Sequence, residues 1–394
     1  MSGGKVYMMS QNQFYPTPPP TEQLEKQFFN PETYPIHVFD RAWWVSSDNP
    51  ECSFSRFIGN TKAVKRLSRA AYAAMGRPNH VCNDQSFALL GPSSSGKTTL
   101  ARLFAELLRL PFVEIAPKSI NSVDDILFEI ARVCESTFVD TPDGRFSLEL
   151  VPEQPPEGPD YVDNYFFLPP MVVFLDEAHA LPDKIVQGLL KATEHNDAIL
   201  NTTQWRVDCR NVCWIIATTD MGQLFDAFVN RFTKIHLDLY SKAEIAKIVK
   251  LSNPDWEDSI CNLVAYYCGT VPREALDFAR EMRLEAEMRP AEWAEIAKQV
   301  AEDSDIDLFG MTYQRLNVLI ALNQGPVSRG NLGEFAQCKE EELVRYVMPP
   351  LMVVTEDYPE PLVRTSSKGY VLTNAGMAEL KKRNIPSKKI NQIR

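Results

Sequence analysis

At 394 residues, with 44% hydrophobic and 24% charged residues, the chain has the composition of a soluble globular protein. It is too long for one ordinary domain of roughly 100–200 residues. A formal net charge of −11 argues against adhesion of the whole surface to nucleic acid, so any such contact needs a local basic patch. No run approaches the roughly 20 apolar residues that span a bilayer. Met1 to Pro20 is polar and Pro-rich, without the basic and apolar regions of a signal peptide, so a cytoplasmic protein with no membrane association is expected.

In chain order, residues 1–51 read as a Pro- and aromatic-rich arm (Pro18-Pro19-Pro20, Phe28-Phe29, Trp43-Trp44) that packs on its own domain or on a neighbouring subunit. An amphipathic helix is predicted from Asn60 to Met75, then a strand at Ser86–Leu90. Further short apolar runs at Phe112–Ile115, Met171–Leu175, Val212–Thr218 and Ile235–Leu239 alternate with helical stretches. That alternation predicts an α/β domain over 52–240, a parallel sheet covered by helices. Residues 135–170 interrupt it with the turn signal Pro142–Gly144, then an acidic stretch whose single basic residue is Arg145; a surface hairpin and loop is expected, suited to a protein partner rather than to DNA. Residues 241–303 read as a helical unit. Residues 304–380 read as helices followed by two strand-like runs flanking Ser366-Ser367-Lys368-Gly369, and 381–394 as a basic tail.

The eight cysteines include no C-x-x-C pair, and Cys209 with Cys213 lacks a second pair to complete a tetrahedral site, so buried reduced thiols are expected.

The chemistry concentrates where strands end. Gly91-Pro92-Ser93-Ser94-Ser95-Gly96-Lys97-Thr98-Thr99 follows a buried strand, opens a helix and fits G-x-x-x-x-G-K-[ST]. In that pattern backbone N–H groups and the helix N-terminus bind the phosphates of ATP, Lys97 neutralises the β and γ oxygens, and the Thr98 hydroxyl ligates Mg²⁺. A chance Gly/Ser turn is the plainer alternative, and the strand before and helix after argue against it. The strand Met171–Leu175 ends in Asp176-Glu177-Ala178-His179. Asp176 would hold Mg²⁺ through its water shell, and Glu177 would orient and polarise the attacking water. The plainer reading of the pair is an acidic helix N-cap; for His179 local packing is the preferred reading. A DEAH-box helicase needs two tandem cores, and one phosphate loop with one core's worth of strands rules that machine out.

The order of the remaining signals resembles AAA+ ATPases, and in particular the RuvB family of Holliday-junction branch-migration motors. The residues that carry the resemblance are Ala217-Thr218-Thr219, Phe228-Val229-Asn230-Arg231-Phe232, Gly269-Thr270-Val271-Pro272-Arg273 and Phe57-Ile58-Gly59-Asn60. It implies a polar sensor at Thr219, an arginine finger at Arg231 that serves a neighbour's site, a second sensor at Arg273 on a helical lid, and adenine packing by Phe57 and Ile58. It also implies a C-terminal winged helix with a helix at Tyr313–Asn323, a second near Leu332–Gln337, a third from Glu340 to Pro349, and a wing through Arg364 and Lys368 to Leu372. The wing and tail are basic (Arg364, Lys368, Lys381, Lys382, Arg383, Lys388, Lys389, Arg394), so phosphate contact by Arg364 and Lys368 is weighed against a merely solvated tail.

Two departures from the family stand out. The segment between Glu177 and Thr219 is shorter and centres on Asn201-Thr202-Thr203, and the acidic insertion is foreign. Both point to an adaptor other than a standard RuvA. The expected function is therefore an oligomeric ATPase, a hexameric ring, that couples ATP hydrolysis to moving duplex or branched DNA in recombination and repair. The alternative is a nucleotide-switched DNA-binding assembly factor, clamp-loader-like or transposition-regulator-like, without translocation. Remodelling of a protein substrate is disfavoured, because no aromatic-Val-Gly pore loop is assignable.

Overall fold

The structure, a computed structural model, describes residues 5–7, 45, 49, 52–75, 86–136, 138–141, 144–149, 165–194, 198–203, 205–219 and 224–386. They divide into two units, Met1–Gly91 with Gly96–Leu237, and Pro92–Ser95 with Asp238–Arg394. Most of the N-terminal arm, much of the acidic insertion and the tail beyond Pro386 lie outside the described residues.

In chain order the first unit holds β1 (Lys5–Tyr7), α1 (Thr61–Met75), β2 (Phe87–Leu90), α2 (Lys97–Leu108), β3 (Phe112–Ile115), α3 (Val123–Ser136), β4 (Phe138–Thr141), β5 (Gly144–Glu149), β6 (Tyr165–Phe167) and β7 (Met171–Leu175). It continues with α4 (Asp183–Ala192), β8 (Ile199–Asn201), β9 (Arg206–Asp208), β10 (Val212–Thr218), α5 (Asp226–Val229) and β11 (Thr233–His236). Five strands form one sheet in the order β11-β2-β10-β7-β3, every neighbouring pair parallel. Parallel strands need covered faces, and the period of two supplies an apolar set to each. Leu89, Phe174 and Ile215 pack with α1 and α2, while Leu90, Val173 and Trp214 pack with α3 and α4. All seven residues of the central β10 are buried.

α1 forms because Ala63, Val64, Leu67, Ala70, Ala71 and Ala74 recur at helical spacing and bury one stripe, leaving Lys62, Lys65, Arg66 and Arg69 exposed. The last strand is shifted from the sequence expectation. β11 runs Thr233–His236 because Thr233 registers with Phe87, and beyond it Leu237 only donates its N–H to the Leu90 carbonyl at 2.7 Å.

The insertion begins as a hairpin: β4 and β5 are antiparallel, with Asp140 opposite Arg145, and β1 joins β5 in parallel. The turn residues Pro142 and Asp143 lie outside the described residues. The segment centred on Asn201-Thr202-Thr203 is a second hairpin, β8 antiparallel to β9, with β6 added in parallel. Its turn is held by Thr203, whose hydroxyl donates to Asp124 at 2.7 Å.

The second unit is helical with one small hairpin. It contains α6 (Lys242–Ser252), α7 (Asp258–Cys268), α8 (Pro272–Met288), α9 (Trp293–Asp303), α10 (Tyr313–Leu322) and α11 (Arg329–Ala336). A short α12 (Glu340–Glu342) follows, then a π-helical turn Leu343–Val347 and α13 (Met348–Leu351), so the predicted single helix from Glu340 carries a π segment. β12 (Val363–Ser366), β13 (Gly369–Leu372) and α14 (Asn374–Lys382) end it. α6 opens on a capping box in which Ser241 and Glu244 satisfy each other's backbone N–H. Two cores result, one around Trp256, Val264 and Phe278, the other around Val318, Leu332 and Val363. Among the described residues the cysteines are free thiols, and no helix is long and apolar enough to cross a membrane.

The sequence places Arg383 among cations available to DNA, and the structure corrects this. Its side chain is 6% exposed, ion-paired with Glu379 and Asp307, and stacked 5.0 Å from the Phe309 ring centre. Removing one partner from a buried ion network leaves carboxylates uncompensated and costs roughly 3–5 kcal/mol. Arg383→Ala should therefore lower the unfolding free energy of the second unit by that order in denaturant titration, while the first unit's transition stays in place. Superimposable unfolding curves would show that the network contributes nothing.

Candidate nucleotide-binding and hydrolysis site

Because β2, β7 and β10 are parallel, their C-terminal ends share one edge: β2 ends level with β10, Thr218 pairing with Leu90, and β7 ends two residues earlier, Leu175 pairing with Ile216. The Gly91 N–H continues the ladder to the Thr218 carbonyl at 3.3 Å. The phosphate loop therefore leaves the sheet beside the end of β10, and α2 starts from it. Gly96 makes the turn with φ 89°, a conformation that costs a Cβ-bearing residue energy, and Ser94 adopts φ 62°. α2 is twelve residues long, and its N-terminal amides and dipole favour an anion. Ser95 is fully buried in the loop and its hydroxyl has no hydrogen-bond partner among the described residues.

Lys97 is 6% exposed and its ammonium donates to the Gly91 carbonyl at 2.8 Å. Burial pushes its pKa down to about 8, against the opposing pull of Glu177 and Asp176. Thr98 donates its hydroxyl to Asp176 Oδ2 at 3.4 Å, while Thr99 is exposed. Burial, then the neighbouring Glu177 charge, raises the Asp176 pKa; the Glu177 N–H, which donates to Asp176 Oδ1 at 3.0 Å, Lys97 and Thr98 oppose the shift. A buried lysine, a hydroxyl and a carboxylate are thus held together at the mouth of the phosphate loop. Phosphate oxygens would complete the lysine, and the Thr98–Asp176 oxygen pair suits a hard divalent cation such as Mg²⁺.

Glu177 follows with φ 49° and ψ 47°, a left-handed conformation rare for a non-glycine residue and often found where function requires it. Thr219 donates to its Oε2 at 3.5 Å. His179, read from sequence as local packing, lies at the same place: its Nδ1 is 2.9 Å from Thr218 Oγ1 and 3.3 Å from Glu177 Oε2. The signal was its position three residues after Asp176, at the end of a strand adjacent to Val212–Thr218.

Arg231 sits in the turn after α5, donating to the Ala227 carbonyl at 2.6 Å and to Glu194 Oε1 at 3.0 Å. Sequence reasoning missed Glu194, which lies beyond the end of α4. Phe57 and Ile58 follow a short 3₁₀ turn and are half-buried, Phe57 against the core shared by α1 and α2. In the second unit Arg273 is exposed in the first turn of α8 and makes no hydrogen bond or ion pair among the described residues. Arg364 and Lys368 are exposed on the β12–β13 hairpin, but Arg364 is 3.0 Å from Glu360, a carboxylate that competes with phosphate for it.

Residues 87–238 match the ATPase family associated with various cellular activities (AAA). Comparison with curated protein sequences finds no match. Among solved structures, the Thermotoga maritima RuvB Holliday junction branch migration motor superposes with a TM-score of 0.61 at 21% identity, covering 86% of this chain and 98% of that one. A variant of T. maritima RuvB gives 0.62 at 22% identity, covering 84% and 97%. The chain thus carries an AAA ATPase domain within a RuvB-like AAA+ fold.

Proposed function

We propose that the chain is the subunit of an oligomeric ATP-hydrolysing motor that moves or remodels DNA in the manner of a branch-migration enzyme. The observation that carries the proposal is the gathering of Lys97, Thr98, Asp176, Glu177 and Thr219 at one sheet edge. Lys97 and the α2 amides bind the β and γ phosphates, and Thr219 contacts the γ-phosphate end of the site. Glu177 accepts a hydrogen bond from the water that attacks, and its carboxylate receives the developing proton. Mg²⁺, held through Thr98 and Asp176, supplies further neutralisation of phosphate charge. Arg231 serves a neighbouring subunit's site, Arg273 contacts phosphate from the helical lid, and Phe57 with Ile58 lines the adenine. The assembly is a homo-oligomeric ring, the last unit is a winged helix, and a protein other than a standard RuvA recruits it to DNA.

The alternative, a nucleotide-switched assembly factor without translocation, gains weight from one observation. With Arg383 buried and Arg364 paired to Glu360, two of the described C-terminal cations are already engaged by carboxylates. ATP turnover with and without duplex, single-stranded and four-way-junction DNA separates the two readings.

Lys97→Ala should abolish tight ATP binding, whereas Glu177→Gln should keep binding and stop hydrolysis, because the first removes charge neutralisation and the second water activation. Full turnover by Glu177→Gln would remove Glu177 from that role.

Arg231→Ala should leave ATP affinity of the isolated subunit intact and cut turnover by roughly 10³-fold or more, the scale of an arginine finger. Mixing it with Lys97→Ala should restore part of the activity, since interfaces with one intact loop and one intact finger reappear. Co-assembled mixtures without rescue would argue against a finger in trans.

If the hairpin binds phosphate, Arg364→Ala with Lys368→Ala should weaken duplex binding uniformly across sequences and flatten the slope of log affinity on log salt by roughly 0.9 for each phosphate that is no longer neutralised. Titrations at several salt concentrations decide this, and identical slopes would assign these cations to solvent.

A further inference from the structure

We propose that His179 is a positioning residue for ATP hydrolysis: it anchors one oxygen of the Glu177 carboxylate so that the other faces the attacking water. The inference rests on the role proposed for Glu177 and adds to it the group that sets the carboxylate's orientation. Glu177 takes a left-handed conformation, and the chain then closes a 3₁₀ turn over Ala178–Ala180, with the Ala180 N–H donating to the Glu177 carbonyl at 2.8 Å. That reversal turns residue 179 back across the end of β10 instead of along the next helix. Its side chain is 9% exposed, so an unpaired ring nitrogen there would be costly.

Nδ1 lies 2.9 Å from Thr218 Oγ1 and 3.3 Å from Glu177 Oε2. The Thr218 hydroxyl pairs with Nδ1, and in the Nδ1–H tautomer that hydrogen is presented on the side where both the hydroxyl and the carboxylate oxygen lie. Thr218 is 1% exposed within the central strand, which gives the imidazole a rigid reference point. Thr219, the next residue along, donates to the same Oε2 at 3.5 Å. Oε2 therefore lies against both the Thr219 hydroxyl and His179 Nδ1, while Oε1 has no hydrogen-bond partner among the described residues on a side chain 30% exposed. A base whose carboxylate is held by one oxygen is pre-organised for water at the other, and misplacement by about 1 Å can cost as much as 10²-fold in rate.

His179→Asn and His179→Gln separate this role from packing. The Asn side-chain amide superposes on Nδ1 and can donate to Glu177, whereas the Gln amide reaches the position of Nε2 and cannot. In steady-state ATP hydrolysis by the full-length protein, His179→Gln should lower kcat by roughly 10- to 100-fold with KM within about twofold of wild type, and His179→Asn should recover most of the loss. Binding of a fluorescent ATP analogue, equal in all three proteins, confirms an intact phosphate loop. Equal turnover of the Asn and Gln variants, or a loss carried by KM and analogue binding, would overturn the positioning role while a silent Glu177→Gln protein leaves the ATPase reading standing. Undiminished turnover by Glu177→Gln would instead remove the reading on which the inference rests.

Discussion

The register of three parallel strands is the constraint on which the rest depends. Because Leu90 lies level with Thr218 and Leu175 with Ile216, the phosphate loop, the Asp176–Glu177 pair and the Thr218–Thr219 pair emerge at a common edge. That register is enforced by burial on both faces: slipping any strand by one residue would exchange the side chains packed under α1 and α2 with those under α3 and α4. The packing of Phe174 and Ile215 thus matters for chemistry without touching it. In open α/β sheets the crevice at the carboxyl ends of strands is where ligands bind, and here it is also where the electrostatic cost of folding collects.

That cost is legible in the charges. Lys97 is held in a site that disfavours its ammonium, and Asp176 in one that disfavours its carboxylate, each mainly through burial. Lys97 also donates to the Gly91 carbonyl at 2.8 Å. A protein selected only for stability would fill such a place with apolar groups. An anion entering along the α2 axis would meet the buried ammonium of Lys97 and the α2 amides together, and this is why the phosphate loop reads as a binding site.

Much of this was legible in the sequence, for identifiable reasons. The Gly91–Thr98 pattern has one physical solution once a buried strand precedes it, and β2, β3, β7 and β10 announce themselves as short apolar runs. What sequence could not supply was pairing across distance. His179 read as packing because its partners, Thr218 and Glu177, come together only through the reversal at residue 177 and the β7–β10 register. Arg383 read as a DNA-facing cation because Asp307, which buries it, lies 76 residues earlier. The end of β11 was misplaced for a simpler reason: Leu237 is apolar and buried, as a strand residue would be, yet the ladder stops before it.

Charge distribution constrains how the molecule can meet DNA. The sequence carries a formal net charge of −11, so approach of a duplex is opposed everywhere except where cations are locally in excess. On the β12–β13 hairpin Lys368 is exposed at the turn, while Arg364 shares its field with Glu360. An ion pair of this exposed kind stabilises the fold by at most about 1 kcal/mol, so a phosphate competes for Arg364 on nearly equal terms. Arg383 differs, because drawing it out would strand two carboxylates that are themselves largely buried. A phosphate can therefore recruit the hairpin cations without unfolding anything, whereas Arg383 is committed to the core. Among the described residues, any affinity of this end for a polyanion would rest on Lys368 and on exchange of the Arg364–Glu360 pair, a small and salt-sensitive share.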